Sequence, residues 1–185
     1  MAKLVVVDPG HGGHDSGATG QGLAEKNLTL ALDKHLHDAL LRDFDVRVEL
    51  TRSTDVFVEL DQRAAFANER GADYFVSVHI NSGGGTGYED FVHRSVSSSS
   101  ATERRRAAIH QAVMQFLQGK GMSDRGKKSA NFAVLRETQM PAILTENLFV
   151  DTPQDAHLLR DDSFLKALAE AHARGIGAAL SLPPR

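Results

Sequence analysis

Two histidines and a glutamate follow or close apolar stretches of the sequence that are typical of buried strands. His11 comes shortly after the first stretch, His79 closes a second, and Glu146 closes a third. Because the carboxyl ends of neighbouring parallel strands meet at one edge of a sheet, we expect these three side chains to lie close together. Glu25, at the start of a predicted helix, can reach over the same edge.

Two imidazoles and one carboxylate form a common ligand set of catalytic zinc, which leaves a fourth position for water. A second carboxylate that is not a ligand can act on that water as a base and then as an acid. Such a site cleaves amides without a serine or cysteine nucleophile. The spacing alone leaves structural roles open, because a loop histidine can simply form a hydrogen bond. Glu25 can stabilise a helix N-terminus, and Glu146 can form an ion pair.

Strands and amphipathic helices alternate along the chain and would position these residues. The predicted strands span residues 3–8, 46–50, 73–80, 88–92, 131–136 and 142–145. The predicted helices span residues 25–41, 59–70 and 103–117, with a short one from Pro153 and a last one capped by Ser163 and ending near residue 180. Segments 95–100 and 122–130 are predicted loops. This order predicts one α/β domain with a twisted, mostly parallel or mixed sheet and helices on both faces.

The bulk composition narrows the class of function. The chain has 185 residues, of which 41% are hydrophobic, and this is enough for one core. A net charge of −3 gives no basic excess for nucleic acid or an anionic membrane, and no apolar run is long enough to span a bilayer. Cysteine is absent, so any metal must be held by histidine and carboxylate groups.

The two ends of the sequence carry expectations about domain organisation. The first residues show no signal-peptide pattern. Residues 181–185 contain two prolines and are expected to begin a linker or to be a truncated tail. The expected domain therefore spans residues 1–180.

Motifs in the same order over nearly the whole chain carry a family resemblance. They are Val7-Asp8-Pro9-Gly10-His11-Gly12-Gly13, Glu25-Lys26-Asn27-Leu28, Thr51-Arg52, Ser77-Val78-His79-Ile80-Asn81-Ser82, Val134-Leu135-Arg136 and Met140-Pro141-Ala142-Ile143-Leu144-Thr145-Glu146. Together they resemble the zinc-dependent N-acetylmuramoyl-L-alanine amidases of the type 3 family. The resemblance implies an amidase catalytic domain with a phosphorylase/hydrolase-like fold.

The resemblance also implies the site and the reaction. It implies that His11, Glu25 and His79 bind one Zn²⁺ and that Glu146 is the catalytic carboxylate. The implied substrate is peptidoglycan, cut at the amide between the lactyl group of N-acetylmuramic acid and L-alanine of the stem peptide. Arg52 and Asn81 are candidate substrate-binding residues, although Arg52 could equally form an ion pair within the fold. His14 is expected to support His11 or to be exposed, and the other histidines to be surface residues or to have satisfied partners.

Two features depart from the family pattern. Glu146 is followed by Asn147-Leu148-Phe149 instead of a small residue and Gly-Phe, so the residues at the rim of the site are expected to differ. The segment from Val92 to Glu103 is short and rich in serine. At this place the periplasmic division amidases of the family carry an insertion whose helix blocks the zinc site. We therefore expect an open site.

Two other functions remain open at this stage, namely a zinc peptidase that cuts within the stem peptide and a wall-binding module without catalysis. The enzyme is expected to be a monomer, with a wall-binding domain as an option beyond residue 185. No nucleic acid or membrane partner is expected. The expected setting is the bacterial cell wall, reached either as a phage endolysin or as the domain of a secreted or mother-cell autolysin.

Overall fold

The chain folds around a six-stranded mixed sheet, as described by a computed structural model of residues 2–185. Residue 1, the first of the predicted domain, lies outside the described residues. In chain order the elements are β1 Leu4–Pro9, β2 Thr19–Gly20, β3 Leu23–Ala24, α1 Glu25–Asp43, β4 Arg47–Leu50, α2 Leu60–Glu69, β5 Tyr74–Asn81, β6 Tyr88–His93, α3 Ala101–Gln118, β7 Asp124–Ala130, α4 Ala133–Arg136, β8 Ala142–Phe149, α5 Pro153–Leu159 and α6 Asp162–Leu180.

The strand order across the sheet is β4-β1-β5-β8-β6-β7. The first four strands are mutually parallel, β6 runs antiparallel to β8, and β7 runs parallel to β6. The predicted mixed, mostly parallel sheet is therefore confirmed. Since β1, β5 and β8 are parallel neighbours, their carboxyl ends meet at one edge, as expected for the site. A separate two-stranded hairpin of β2 and β3 leads into α1.

Helices cover the two faces of the sheet unequally. The long helices α1, α3 and α6, together with α5, pack over one face, where Leu32, Ile109 and Leu168 are fully buried. We call this the helix-rich face. The other face, which we call the thin face, is covered within residues 2–185 by α2 and the single turn α4. Strand β1 is buried on both faces, which explains its continuous apolar sequence.

Two predicted elements are wrong in type. Residues 122–130, predicted as a loop, contain the edge strand β7. This strand pairs through its backbone with β6 while most of its side chains stay in solvent, so it shows no apolar alternation. Residues 131–136, predicted as a strand, contain the helical turn α4. Its buried residues, Val134 and Leu135, are consecutive, which a helical turn allows and a strand with one solvent face does not.

Two boundaries also differ from the predictions. Strand β8 continues through Glu146 to Phe149 rather than ending at residue 145. The last helix is capped by Asp161, whose side chain accepts a hydrogen bond from the backbone N–H of Ser163, so Ser163 is not the cap. No helix among residues 2–185 is both long and apolar enough to cross a membrane.

Candidate active site

The edge formed by the carboxyl ends of β1, β5 and β8 brings the predicted residues together. His79 and Glu146 are paired in register on the neighbouring strands β5 and β8. Paired residues of parallel strands point to the same face, and here this is the thin face, on which Phe75 and Leu144 are buried. Glu25 is the first residue of α1 and is buried, and His11 lies on the loop after β1.

The loop carrying His11 needs small residues because it passes close to the other candidate ligands. A Cβ at Gly17 would lie 2.6 Å from Glu25 Oε2 and 2.6 Å from His11 Cδ2. A Cβ at Gly10 would lie 2.5 Å from His79 Cε1. His11 itself has a positive φ of 64°, which turns its side chain back toward β5. These glycines leave room for the imidazoles to converge.

The two imidazoles approach opposite oxygens of the Glu25 carboxylate. His11 Nε2 lies 3.1 Å from Glu25 Oε2, and His79 Nδ1 lies 3.1 Å from Glu25 Oε1. One ligand atom from each of the three residues falls within 4.8 Å of the others. The backbone N–H groups of Ala18 and Ile80 donate to the same carboxylate at 2.8 and 2.9 Å, which fixes its orientation.

The nitrogen of each imidazole that faces away from Glu25, which we call the outer nitrogen, is held by a separate partner. His11 Nδ1 is 2.8 Å from Asp15 Oδ2, and His79 Nε2 is 3.2 Å from Ser77 Oγ. Histidine ligands of metals typically bind the ion through one nitrogen while a carboxylate, hydroxyl or carbonyl holds the other. The geometry and the donor set of two imidazoles and a carboxylate therefore fit a zinc ion.

The electrostatics of the cluster agree with a cation-binding role. Burial raises the pKa of Glu25, but the hydrogen bonds from His11 and His79 outweigh it and hold the pKa well below its usual range. Burial lowers the pKa of His11, but contacts with Glu25 and Asp15 outweigh it and raise the pKa to about 9. The carboxylate is thus ionised and attracts positive charge at this point.

Glu146 differs from the three clustered residues. Burial raises its pKa to about 7, and the nearby Glu25 and Glu89 carboxylates act in the same direction against the opposing charge of His79. Its Oε2 atom is buried and has no hydrogen-bond partner within residues 2–185. A carboxyl group with a pKa near neutrality and a free oxygen can accept and return a proton.

An apolar cleft of about 310 Å³ lies beside His11 and His79 on the thin face. Phe57, Leu60 and Val134 contribute to its lining. The side chains of His11 and His79 remain 24% and 18% exposed, so the cluster is accessible to a ligand.

The segment from Val92 to Glu103 forms the end of β6, a turn and the start of α3. In the part of the chain that the structure describes, none of its hydrogen bonds reaches His11, Glu25 or His79. This agrees with the expectation of an open site.

Arg52 is buried and bonded to the backbone around the site. Its side chain is 3% exposed and donates to the backbone carbonyls of Pro9 and Gly10, and also to those of Lys26 and Thr54. The guanidinium therefore holds the loop that carries His11 against α1. These hydrogen bonds favour a structural role, and a role of Arg52 in substrate binding stays a prediction.

Asn81 lies at the end of β5 and is partly exposed. Its Nδ2 donates to Glu89 Oε1 at 2.8 Å, and its Oδ1 accepts from the backbone N–H of Ser82. Its role in substrate binding stays a prediction.

The other histidines lie apart from the cluster. His14 is exposed and packs against Phe57, with ring centroids 4.1 Å apart. The buried exceptions are His172, whose Nε2 is 2.7 Å from Asn147 Oδ1, and His110, which lies between Asp90 and Asp124. The remaining histidines are partly or fully exposed, as predicted: His35, His37, His93 and His157.

Sequence reasoning assigned no role to Asp15, Ser77 or Glu89. Asp15 follows His11 by four residues and Ser77 precedes His79 by two. The strand period of two could have placed Ser77 on the same face as His79, but no local pattern indicates which nitrogen it would hold.

A model of the family described as N-acetylmuramoyl-L-alanine amidase matches residues 5–178 of the chain. The chain belongs to the N-acetylmuramoyl-L-alanine amidase family. This confirms the resemblance drawn from the motifs and the predicted class of enzyme, a hydrolase. Members of this family depend on a metal ion, and the His11, Glu25 and His79 cluster is a candidate site for it.

Individual relatives support the same assignment. The chain is 48% identical to an endolysin of Bacillus phage SPP1 over 98% of its own length and 68% of that protein. It is 46% identical to the sporulation-specific N-acetylmuramoyl-L-alanine amidase of Bacillus subtilis, over 98% of this chain and 69% of the relative. The catalytic domain of the amidase CwlV from Bacillus (Paenibacillus) polymyxa has the same fold, with a TM-score of 0.88, 36% identity and coverage of 97% and 99%.

Proposed function

We propose that this amidase cleaves the amide between the lactyl group of N-acetylmuramic acid and L-alanine in peptidoglycan, with Zn²⁺ as its metal. The observation that carries the proposal is the position of Glu146, a buried carboxyl group with a free oxygen, in register with His79 of the His11, Glu25 and His79 cluster. Family membership supports the choice of bond.

The metal would be held by the two imidazoles and the Glu25 carboxylate. A zinc ion bound there supplies an acidified water and polarises the scissile carbonyl. Asp15 and Ser77 hold the outer nitrogens of His11 and His79, and so keep the inner nitrogens directed at Glu25.

Glu146 supplies the proton transfer that hydrolysis requires. Its free carboxylate oxygen takes a proton from the attacking water as the new C–O bond forms. The C–N bond then breaks, and the same carboxyl group returns the proton to the amine nitrogen of L-alanine. The products are a free lactyl carboxylate and a peptide with a free amino terminus. A pKa near 7 suits both halves of this cycle at neutral pH.

The setting that we propose is the bacterial cell wall, supported by relatives named as a phage endolysin and a sporulation-specific amidase. The expected monomeric state and the wall-binding domain beyond residue 185 stay predictions.

Mass analysis of digested peptidoglycan tests the proposed reaction. The protein, with and without a chelator and with zinc restored afterwards, is incubated with purified walls, and new amino termini are identified. We expect new amino termini on L-alanine and intact glycan chains. Cleavage should be lost when the chelator is present and should recover when zinc is restored. New termini within the stem peptide would indicate a peptidase instead. Binding to walls without any product would indicate a non-catalytic module.

A further inference from the structure

A basic side chain, Arg125, lies two strands beyond Glu146, on the side of the site away from His11. Glu89 on β6 is paired in register with Glu146 on β8, so His79, Glu146 and Glu89 form a row across three strands. The Nε atom of Arg125, on the edge strand β7, donates to Glu89 Oε2 at 3.2 Å. Neighbouring strands are about 4.8 Å apart, so Arg125 is anchored about 10 Å from Glu146, and its side chain spans part of that distance by reaching Glu89.

Contacts with Glu89 and Phe149 hold the Arg125 side chain in place but leave some of its hydrogen-bond donors without an acceptor. Its guanidinium carbon lies 4.8 Å from the centroid of the Phe149 ring, and Glu89 holds its Nε. Within residues 2–185 its two terminal nitrogens have no hydrogen-bond acceptor, and the side chain is 34% exposed. A guanidinium whose two terminal nitrogens are free has a planar pair of donors, which can form a bidentate hydrogen-bonded pair with a carboxylate.

The local charge favours an anion. Lys128, 41% exposed, forms a second ion pair with the same Glu89 carboxylate, whose other oxygen accepts from Asn81. Two cations therefore share one buried carboxylate, Glu89, so that their positive charge is only partly balanced by that group and can attract an anion. This differs from the opposite side of the site, where Phe57 and Leu60 line an apolar cleft.

We infer that Arg125 is a specificity-determining residue that binds a carboxylate on the peptide beyond the scissile amide, and this inference rests on the proposed function. The peptide part of the substrate then runs from Glu146 toward β6 and β7. Lys128 adds positive charge, while Glu89 and Phe149 position the Arg125 guanidinium.

A pair of substrates that differ in one charge tests this inference. N-acetylmuramoyl-L-alanyl-D-glutamate with its γ-carboxyl group blocked as the methylamide, and the α-carboxamide of that compound, are compared by kcat/KM in the unchanged enzyme and in Arg125→Met, Arg125→Lys and Lys127→Met. Lys127 is a matched control, because it lies on the same strand, is 42% exposed and faces Glu103 instead of Glu89. The ratio of kcat/KM for the acid to kcat/KM for the carboxamide is taken within each protein, so a defect in folding or metal content affects both values equally and cancels.

We expect the unchanged enzyme and Lys127→Met to prefer the acid by about tenfold, which corresponds to one charge-assisted hydrogen-bonded contact at a partly exposed site. The ratio of kcat/KM for the acid to that for the carboxamide should fall close to one in Arg125→Met. Arg125→Lys should keep only part of the preference for the acid. An unchanged preference in Arg125→Met, or no preference in the unchanged enzyme, would overturn the inference.

Binding of the product peptides separates this inference from the proposed function. The γ-methylamide of L-alanyl-D-glutamate and the α-carboxamide of that peptide are titrated calorimetrically into Glu146→Gln protein, with and without Arg125→Met. A preference for the acid that depends on Arg125 supports the inference even if the enzyme cleaves neither substrate, a result that would contradict only the proposed function. Equal binding of both peptides would contradict the inference.

Discussion

The two faces of the sheet differ in the extent of their apolar cover, and the candidate site opens on the one with less. The helix-rich face has the larger apolar cluster, packed from α1, α3 and α6, and it also buries polar groups such as Asp90, His110 and His172. The thin face has a small apolar cluster and relies on buried polar contacts at its carboxyl edge. There Arg63 pairs with Asp8 at 2.9 Å, with side chains 2% and 1% exposed. A thin cover leaves the imidazoles of His11 and His79 partly exposed to a ligand in the cleft.

The polar contacts of the thin face predict the largest effect on stability. Arg63 also donates to the carbonyls of Pro9, His11 and Val58, so it ties α2 to the loop that carries a candidate ligand. Arg63→Met should lower the free energy of unfolding by about 3–5 kcal/mol, because it leaves Asp8 buried without its cation. Chemical denaturation measures this loss.

A matched control for Arg63 lies just beyond the end of the same helix. Arg70 pairs with Glu49 but is 38% exposed, and Arg70→Met should cost about 1 kcal/mol or less. If both substitutions had the same small effect, the thin face would not depend on its buried polar contacts.

The helix-rich face predicts a loss of stability without a loss of catalysis. Leu168 on α6 is fully buried, and Leu168→Ala should cost about 3 kcal/mol through lost burial and a residual cavity. The kcat of the folded fraction should be unchanged.

A control on the thin face is Leu60, which is 57% exposed in the lining of the cleft, so Leu60→Ala should lower the free energy of unfolding by about 0.5 kcal/mol or less. A reduced kcat in folded Leu168→Ala would show that the two faces are not separable.

A smaller, pH-dependent effect is expected from His172 on the helix-rich face. Burial lowers the pKa of this imidazole to about 3. The unfolded chain therefore binds a proton as the pH falls through the ordinary histidine range, while the folded protein does not. Between about pH 7.5 and pH 5 this single group should remove about 2 kcal/mol of stability.

The variant His172→Gln isolates that effect because it keeps a donor for Asn147 Oδ1 and cannot titrate. Its free energy of unfolding, measured across the same pH range, should decrease less than that of the unchanged protein. Parallel pH profiles for the two proteins would mean that His172 is not held neutral by burial.

The same contrast between the faces explains what the sequence could predict. Apolar periodicity predicted α1 and α3 because burial of one side of a long helix leaves a strong pattern, whereas α6 was predicted from a capping residue. It failed at β7, which is stabilised by backbone pairing at an exposed edge, and at α4, where a single turn is too short to show a helical period.

The candidate site followed from the motifs, but its supporting contacts did not. The convergence of His11, His79 and Glu146 could be predicted because parallel strands share an edge. The hydrogen bonds by which Arg52 holds the loop of His11 could not be predicted, since their acceptors are backbone carbonyls from three separate parts of the chain. Arg125 was assigned to a loop, so its place beside Glu89 depended on the pairing of β6 with β7.

Zinc binding and turnover, measured together on three proteins, test the central claim most directly. Metal-free unchanged protein, Glu146→Gln and His79→Ala are titrated with zinc and then assayed on peptidoglycan. We predict one bound zinc ion per chain in the first two, and a turnover that falls about a thousandfold in Glu146→Gln, because it can bind the metal but cannot transfer the proton. His79→Ala should lose both zinc and activity. Full turnover in Glu146→Gln, or unchanged zinc binding in His79→Ala, would contradict the account.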